Sequence, residues 1–145
     1  MMMLIVAGFF GTGLIDTPGH AQENSEFRII INSSNPIRTM SKKEIGRIFL
    51  KKQEEWPNGF GITVVDQRPD EPVREAFSRV ILQKDPSAVE AYWSKLIFSG
   101  MGVPPIKLAS NAEVVNFVSR NVGSIGYVSA GTPLVADVKA LEVTP

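Results

Sequence analysis

The sequence contains no cysteine, and its single histidine is His20. Without cysteine the chain forms no disulfide, offers no thiol chemistry and has no Cys for a lipid anchor. Because His20 lies in a segment interpreted below as a leader, the rest of the chain cannot form a Ser-His-Asp or Cys-His pair, or a zinc site built on His and Cys. These absences predict a noncatalytic protein with no cofactor and no metal site.

Neither sign of charge dominates the sequence. Lys and Arg number 15 and Asp and Glu also number 15, and without residues 1–21 the formal charge becomes +1, since only Asp16 is lost. Such a balance provides no electrostatic attraction for nucleic acid or for an anionic membrane, so neither is expected as a partner. A length of 145 residues with 43% hydrophobic residues predicts one cored domain.

The amino-terminal segment has the pattern of a signal peptide. Residues 1–15 are uncharged, fall short of the ~20 apolar residues of a membrane helix, and are followed by Pro18 and small residues before Gln22. We therefore predict a leader over 1–21 and a domain over 22–145 that is free in the periplasm and is not a lipoprotein. No Lys or Arg precedes the apolar run, so we expect the true start codon upstream. An uncleaved amphipathic or buried helix is the alternative.

The remaining chain alternates predicted strands and helices. Strands are predicted at 27–32, 62–66, 124–128 and within 135–143, and helices are predicted after Ser41, Asp70, Asp85 and Ser110. Ser41 and Ser110 each begin a capping box, and Asp70 precedes Pro72 as a further cap. The alternation predicts an α/β fold: a single layered domain with a mixed, mostly parallel sheet flanked by helices.

Periodicity and turn chemistry also predict roles for single residues. Val80 and Ile97 are placed on the inner faces of their helices by 3–4 spacing. Trp56 is either a buried side chain or an exposed anchor of an interface. Gly123 and Gly126 provide either unusual backbone angles or close packing.

Five segments, in this order, resemble the periplasmic phosphate-binding proteins of ABC transporters, specifically short single-lobe relatives within the type 2 periplasmic binding protein-like family. The segments are Asn32-Ser33-Ser34-Asn35-Pro36, Arg47 to Gly59, Val64 to Phe77, Tyr92-Trp93, and Gly123-Ser124-Ile125-Gly126-Tyr127-Val128. The resemblance covers roughly Phe27 to Leu141. It implies the fold of one lobe of such a protein and an association with phosphate uptake or sensing.

The resemblance also implies a position for an oxyanion. In the family, phosphate is held by a Ser-Gly-Thr turn at a helix N-terminus, with an Arg a few residues upstream. Here Glu71-Pro72-Val73 occupies that turn, Arg68 lies at the upstream position and Arg74 follows in the first helical turn. Glu71 adds a like charge, Pro72 removes an N–H donor and Val73 removes a hydroxyl. We expect tight capture of phosphate by one such lobe to be lost.

Two sets of residues remain as weak candidates for ligand binding. Arg68 and Arg74 could form a weak anion site; alternatively they pair with Asp70, Glu71 and Glu75 at a solvated helix start. Ser33, Ser34 and Asn35 could contact a ligand at the carboxyl end of the first strand, or they could simply satisfy a turn.

Two functions are compatible with these patterns. The first is an extracytoplasmic solute-binding-like protein, related to the substrate-binding proteins of phosphate ABC transporters, with an oxyanion such as phosphate as its possible ligand. The second is a periplasmic interaction or sensory module that has lost its ligand and contacts an ABC permease, a sensor, another envelope protein or another copy of itself. An enzyme has no positive support, because carboxylates such as Asp66 and Asp70 at this spacing are typical of solvated faces or caps.

Overall fold

The computed structural model describes residues 26–145, so the predicted leader lies outside the described residues. The elements are β1 (Phe27–Asn32), β2 (Thr39–Ser41), α1 (Lys42–Phe49), β3 (Thr63–Gln67), α2 (Pro72–Phe77), a π-helical segment (Ser78–Leu82), α3 (Pro86–Phe98), β4 (Ile106–Leu108), α4 (Asn111–Arg120), β5 (Ser124–Ser129), β6 (Val138–Ala140) and β7 (Glu142–Thr144).

Five of the strands form one mixed sheet in the order β4-β3-β5-β1-β6. Strand β3 is parallel to both β4 and β5, whereas β1 is antiparallel to β5 and β6, so every strand except β1 runs in the same direction. Strands β2 and β7 form a separate parallel pair. The predicted α/β fold with a mixed, mostly parallel sheet is therefore confirmed.

Strand β1 is covered on both faces, as its nearly continuous apolar sequence predicts. Ile29 and Ile31 belong to the core on one side of the sheet, together with Phe77 of α2 and side chains of α1. Ile30, which points to the opposite face, packs in the second core with Val114 of α4. The sheet thus separates two hydrophobic layers.

The predicted helix starts are partly correct. Ser41 forms the full capping box with Glu44. Ser110 caps Glu113 N, but the Glu113 carboxylate accepts from Ala109 N rather than from Ser110 N, so only half of that box forms. The Asp70 cap is wrong, since α2 begins one residue later, with Glu71 at the N-cap and no capping side chain.

Two apolar positions assigned to inner helix faces are exposed. Val80 is 43% exposed because it lies in the π-helical segment, whose i→i+5 bonding breaks the 3.6-residue period used to place it. Ile97 is 53% exposed because α3 buries only Val89 and Trp93, and its last turn extends past the core. Two short strands, β2 and β4, carry too few residues for an alternating pattern to be recognised.

Gly123 and Gly126 serve close packing. A Cβ atom on Gly123 would lie 2.6 Å from Gly61 O, and one on Gly126 would lie 2.7 Å from Val114 Cγ1. Neither has a positive φ, so the alternative of unusual backbone angles is wrong. Trp56 is 3% exposed, and its Nε1 donates to Gly123 O at 3.0 Å. The alternative that Trp56 is an exposed interface anchor is also wrong.

Candidate functional site

The predicted oxyanion position lies where β3 ends and α2 begins. Arg68 follows the last residue of β3 and is exposed; its N–H donates to Leu108 O, and its carbonyl accepts from Glu71 N, both at 3.1 Å. The chain turns there into α2, whose first residue is Pro72. Arg68 is therefore a solvent-facing cation beside a six-residue helix that offers few free N–H groups.

Arg74, by contrast, is buried and is held by two carboxylates. Its side chain is 2% exposed; Nη2 lies 2.7 Å from Glu90 Oε1, and Nε lies 3.8 Å from Asp66 Oδ1. The expected alternative, pairing with Asp70, Glu71 and Glu75 on a solvated helix start, is wrong for Arg74. Glu75 instead pairs with Arg79 at 2.9 Å. The charge of Arg74 is thus compensated inside the protein.

Asp66 connects Arg74 to the central strand β5. Asp66 Oδ1 accepts a short hydrogen bond from the Tyr127 hydroxyl and another from Gln67 N at 2.7 Å. Burial raises the pKa of Asp66, and the hydrogen bonds and the Arg74 charge counteract this only in part. Burial and the neighbouring Asp66 also raise the pKa of Tyr127, so the phenol stays protonated and acts as a donor. The Tyr127 ring stacks on Phe77 at 3.9 Å between centroids.

Glu90 connects Arg74 to Lys107, which lies on the edge strand β4, and so extends the network of Arg74, Asp66 and Tyr127. Burial pushes the pKa of Glu90 upward, but hydrogen bonds from Lys107 and Arg74 outweigh it and lower the pKa below its usual value. Lys107 Nζ lies 2.9 Å from Glu90 Oε1. Within residues 26–145, Arg74 Nη1 and Gln67 Oε1 are buried without a hydrogen-bond partner, so the network is not fully satisfied.

The second set of candidates lies at the opposite end of the sheet. Because β1 runs antiparallel to β5, its carboxyl end meets the beginning of β5 rather than the end of β3. Ser33 Oγ donates to Ala136 O at 2.8 Å, and Asn35 Oδ1 accepts from Ile37 N at 3.0 Å. Ser34 N donates to Asn32 Oδ1 at 2.9 Å. The structure therefore does not bring Ser33, Ser34 and Asn35 together with Arg68 and Arg74.

A cavity of about 300 Å³ lies beside this second set, and Ser34 and Asn35 are part of its wall. Its lining residues are Ser34, Asn35, Pro36, Trp56, Asn58, Phe60, Gly61, Val122 and Gly123. We call it the Trp56 pocket. Asn58, Phe60 and Val122 were not among the binding residues predicted from the sequence. The Asn58-Gly59 turn between two aromatic residues was the available signal, because such a turn exposes its neighbours.

Among residues 26–145, no three His, Asp or Glu side chains are grouped in a way that could hold a metal ion. No helix in that part is long and apolar enough to cross a bilayer.

No family model and no curated protein matches the sequence, but solved structures match the fold. A protein from Clostridium perfringens assigned as a phosphate ABC transporter substrate-binding protein, solved with bound phosphate, matches with a TM-score of 0.65 at 22% identity, over 81% of this chain and 44% of that one. An ABC-type phosphate transport receptor from Vibrio cholerae matches with 0.64 at 16%, over 81% and 46%. PstS from Borrelia burgdorferi matches with 0.56 at 15%, over 82% and 47%.

These matches concern the fold, since all three identities are low. The chain spans less than half the length of each of these structures. The chain therefore shares the fold of part of these phosphate ABC transporter substrate-binding proteins, as the resemblance predicted.

Proposed function

We propose that this chain is a noncatalytic, extracytoplasmic protein of solute-binding type whose inherited oxyanion position does not capture phosphate tightly by itself. The fold likeness to phosphate-binding proteins supports the general class. The proposal includes a leader over residues 1–21 that exports the domain 22–145 to the periplasm. An ABC permease or a sensor is the corresponding partner.

The observation that carries the proposal is the compensation of Arg74 by Asp66 and Glu90. An arginine that grips an oxyanion must direct its N–H groups and its charge at the ligand. Here the guanidinium is buried, and two carboxylates already take much of its charge. A phosphate approaching this point would meet the negative Asp66 and Glu90 as well as the positive Arg74.

The start of α2 further lowers the affinity of the same position for an anion. Glu71 at the N-cap brings a carboxylate to the point where an anion would approach, and Pro72 has no N–H to donate. Arg68 remains as an exposed cation, and an exposed ion pair contributes at most about 1 kcal/mol. We therefore expect any contact between phosphate and Arg68 to be weak.

Calorimetric titration of the purified protein with phosphate and with sulfate tests this proposal. We expect no binding heat at micromolar anion and little thermal stabilisation at millimolar anion. A micromolar site would give a clear effect, because a ligand at 1,000 times its Kd stabilises the folded protein by about 4 kcal/mol. A matched variant restores the missing chemistry: Glu71→Ser, Pro72→Gly and Val73→Thr together should strengthen phosphate binding. Micromolar binding of phosphate by the unmodified protein would overturn the proposal.

A second candidate function is supported by one surface. Ile97, Phe98, Met101, Val103 and Ile106 are exposed apolar residues at the end of α3, in the loop that follows it and at the start of β4, and we call them the α3 patch. Phe98 is 94% exposed and Met101 is 78% exposed, and no charged residue occurs from 96 to 106. Exposed apolar clusters commonly mark protein interaction sites. The patch favours an interaction module that contacts another envelope protein.

Cross-linking in cells distinguishes the second candidate from the first. A photo-reactive residue in place of Phe98 should give a discrete conjugate that contains a permease, a sensor or another envelope protein. The same residue in place of Lys52, which is exposed and lies on the loop after α1, is the control. Equal yields from the two positions would remove the support for a specific contact at the α3 patch.

A further inference from the structure

We propose that the Trp56 pocket is a binding site for a small uncharged sugar, distinct from the inherited oxyanion position. The pocket lies where β1 ends and β5 begins, whereas Arg68 and Arg74 lie at the opposite end of the sheet. The inference does not depend on whether the protein binds phosphate.

The size of the pocket limits the ligand. A volume of about 300 Å³ is at the lower end of the range for small-molecule sites. A single sugar ring fits such a space, whereas an oligosaccharide or a dinucleotide would extend well beyond it. The floor is rigid, because Trp56 is held to Gly123 by its indole N–H and a Cβ at Gly123 has no room.

The charge of the lining indicates an uncharged ligand. None of the nine lining residues is ionisable. A phosphate or carboxylate placed there would lose part of its hydration without gaining a cationic partner, which opposes binding. A neutral molecule meets no such penalty.

Hydrogen-bonding groups in the wall remain uncommitted. Within the described residues, Ser34 Oγ, Asn35 Nδ2 and Asn58 Nδ2 make no hydrogen bond to the protein. The oxygen atoms of both amides, by contrast, accept backbone N–H groups of Ile37 and Phe60, which fixes the orientation of the side chains. A hydroxyl-rich ligand can accept from both amide groups and can exchange hydrogen bonds with Ser34.

The apolar part of the wall complements the other face of a sugar ring. Phe60 is 70% exposed and Val122 is 59% exposed at the pocket. Trp56 and Pro36 complete the apolar surface. A pyranose has C–H groups on its ring faces and hydroxyls around its rim, so it matches a wall that combines aromatic and aliphatic surface with a few fixed polar groups.

Two-dimensional NMR of the indole N–H groups tests the inference in the purified protein. The chain has two tryptophans, Trp56 in the pocket and Trp93 in α3, so the second signal is an internal control. We expect glucose or N-acetylglucosamine at about 20 mM to shift the Trp56 signal and leave Trp93 unchanged, since millimolar sites are nearly saturated there. Glucuronate and glucose 6-phosphate, which keep the ring and add a charge, should bind at least about 10-fold more weakly.

Variants separate the pocket from a nonspecific effect. Asn58→Asp keeps the acceptor for Phe60 N but replaces the free amide donor, and Phe60→Ala removes the ring; each should weaken sugar binding by about 3- to 10-fold. Phe98→Ala is the matched control, because it also removes an exposed phenylalanine ring, far along the chain in the α3 patch. The inference is overturned if neither sugar shifts the indole signal of Trp56 or if the charged sugars bind as tightly as the neutral ones. It is also overturned if Phe98→Ala weakens sugar binding as much as Phe60→Ala does.

Discussion

Arg74 links three elements of the fold at the scale of a single residue. It lies in α2, its Nε faces Asp66 of β3, and its Nη2 contacts Glu90 of α3. The expected pairing with neighbours in sequence did not account for burial, because the buried guanidinium lies against Asp66 and Glu90 and away from the exposed carboxylates at the start of α2. Arg74 is therefore a structural residue whose charge holds the layers together.

Replacing Arg74 by Met should destabilise the protein by about 3 kcal/mol, because Asp66 would remain buried without its cationic partner. Arg79→Met is the control. Arg79 contacts Glu75 and Asp85 at 2.9 and 3.3 Å but is 60% exposed, so its loss should change the free energy of unfolding by less than about 1 kcal/mol. Urea unfolding of both variants measures the difference. Equal effects would contradict the assignment of Arg74 as the structural cation.

Asp66→Asn should change how stability depends on pH. Because burial raises the pKa of Asp66 above its ordinary 3.8, the folded state binds this proton more tightly than the unfolded chain does. The contribution of Asp66 to stability is therefore present at pH below about 4 and is lost as pH rises through the raised folded value. The asparagine keeps an acceptor for Tyr127 and Gln67 but cannot titrate.

Relative to Asp66→Asn, the wild-type protein should thus become less stable as the pH is raised from about 4 to 7. Urea unfolding at several pH values in that window provides the measurement. Glu90→Gln is the opposite control: because the pKa of Glu90 is lowered, the wild-type protein should lose stability relative to this variant as pH falls below the ordinary value of 4.5. A constant difference between wild type and Asp66→Asn across the window would contradict the raised pKa.

Among the helices and strands, the sequence predicts those that are defined by a pattern of neighbouring residues. The capping box at Ser41 and the apolar run of β1 each define an element by neighbouring residues, and both agree with the structure. Positions that depend on distant partners were not predictable in this way. An example is the pairing of β4 with β3. The exposure of Val80 was missed for another reason, since the π-helical segment departs from the regular helical period.

The residues of the candidate site were likewise only partly predictable from local sequence patterns. The sequence identified Arg68 and Arg74 at the start of α2, and Ser33, Ser34 and Asn35 after β1, but strand direction decides which strand ends meet. The antiparallel placement of β1, which brings its carboxyl end to the beginning of β5, separates the two sets. Pairing direction depends on contacts between residues about 100 positions apart in the sequence, such as Phe27 with Ser129, and no local pattern records them.

The close approach of Gly123, the residue before β5, to Gly61 permits a prediction about how elements meet. Gly123→Ala should destabilise the protein by about 1–3 kcal/mol, because its Cβ would lie 2.6 Å from a backbone oxygen, Gly61 O, which cannot move without its loop. Gly131→Ala is the control, since no atom lies within 4 Å of its Cβ position. Thermal unfolding of both variants tests this. An unchanged melting temperature for Gly123→Ala would show that the loop adjusts.

For the whole molecule, the question is whether the residues of the α3 patch contribute to the stability of the domain or only form part of its surface. Phe98 and Met101 are 94% and 78% exposed, so little of either side chain contributes to the core. The double variant Phe98→Ser and Met101→Ser should therefore change the free energy of unfolding by no more than about 0.5 kcal/mol. Its retention on a hydrophobic resin should nevertheless fall clearly, because the exposed ring of Phe98 and the exposed thioether of Met101 are gone. The buried Phe77 is the contrasting position, since Phe77→Ser should destabilise the domain by several kcal/mol. A loss of more than about 2 kcal/mol in the double variant would place the patch within the folded core and remove the basis for an interaction surface.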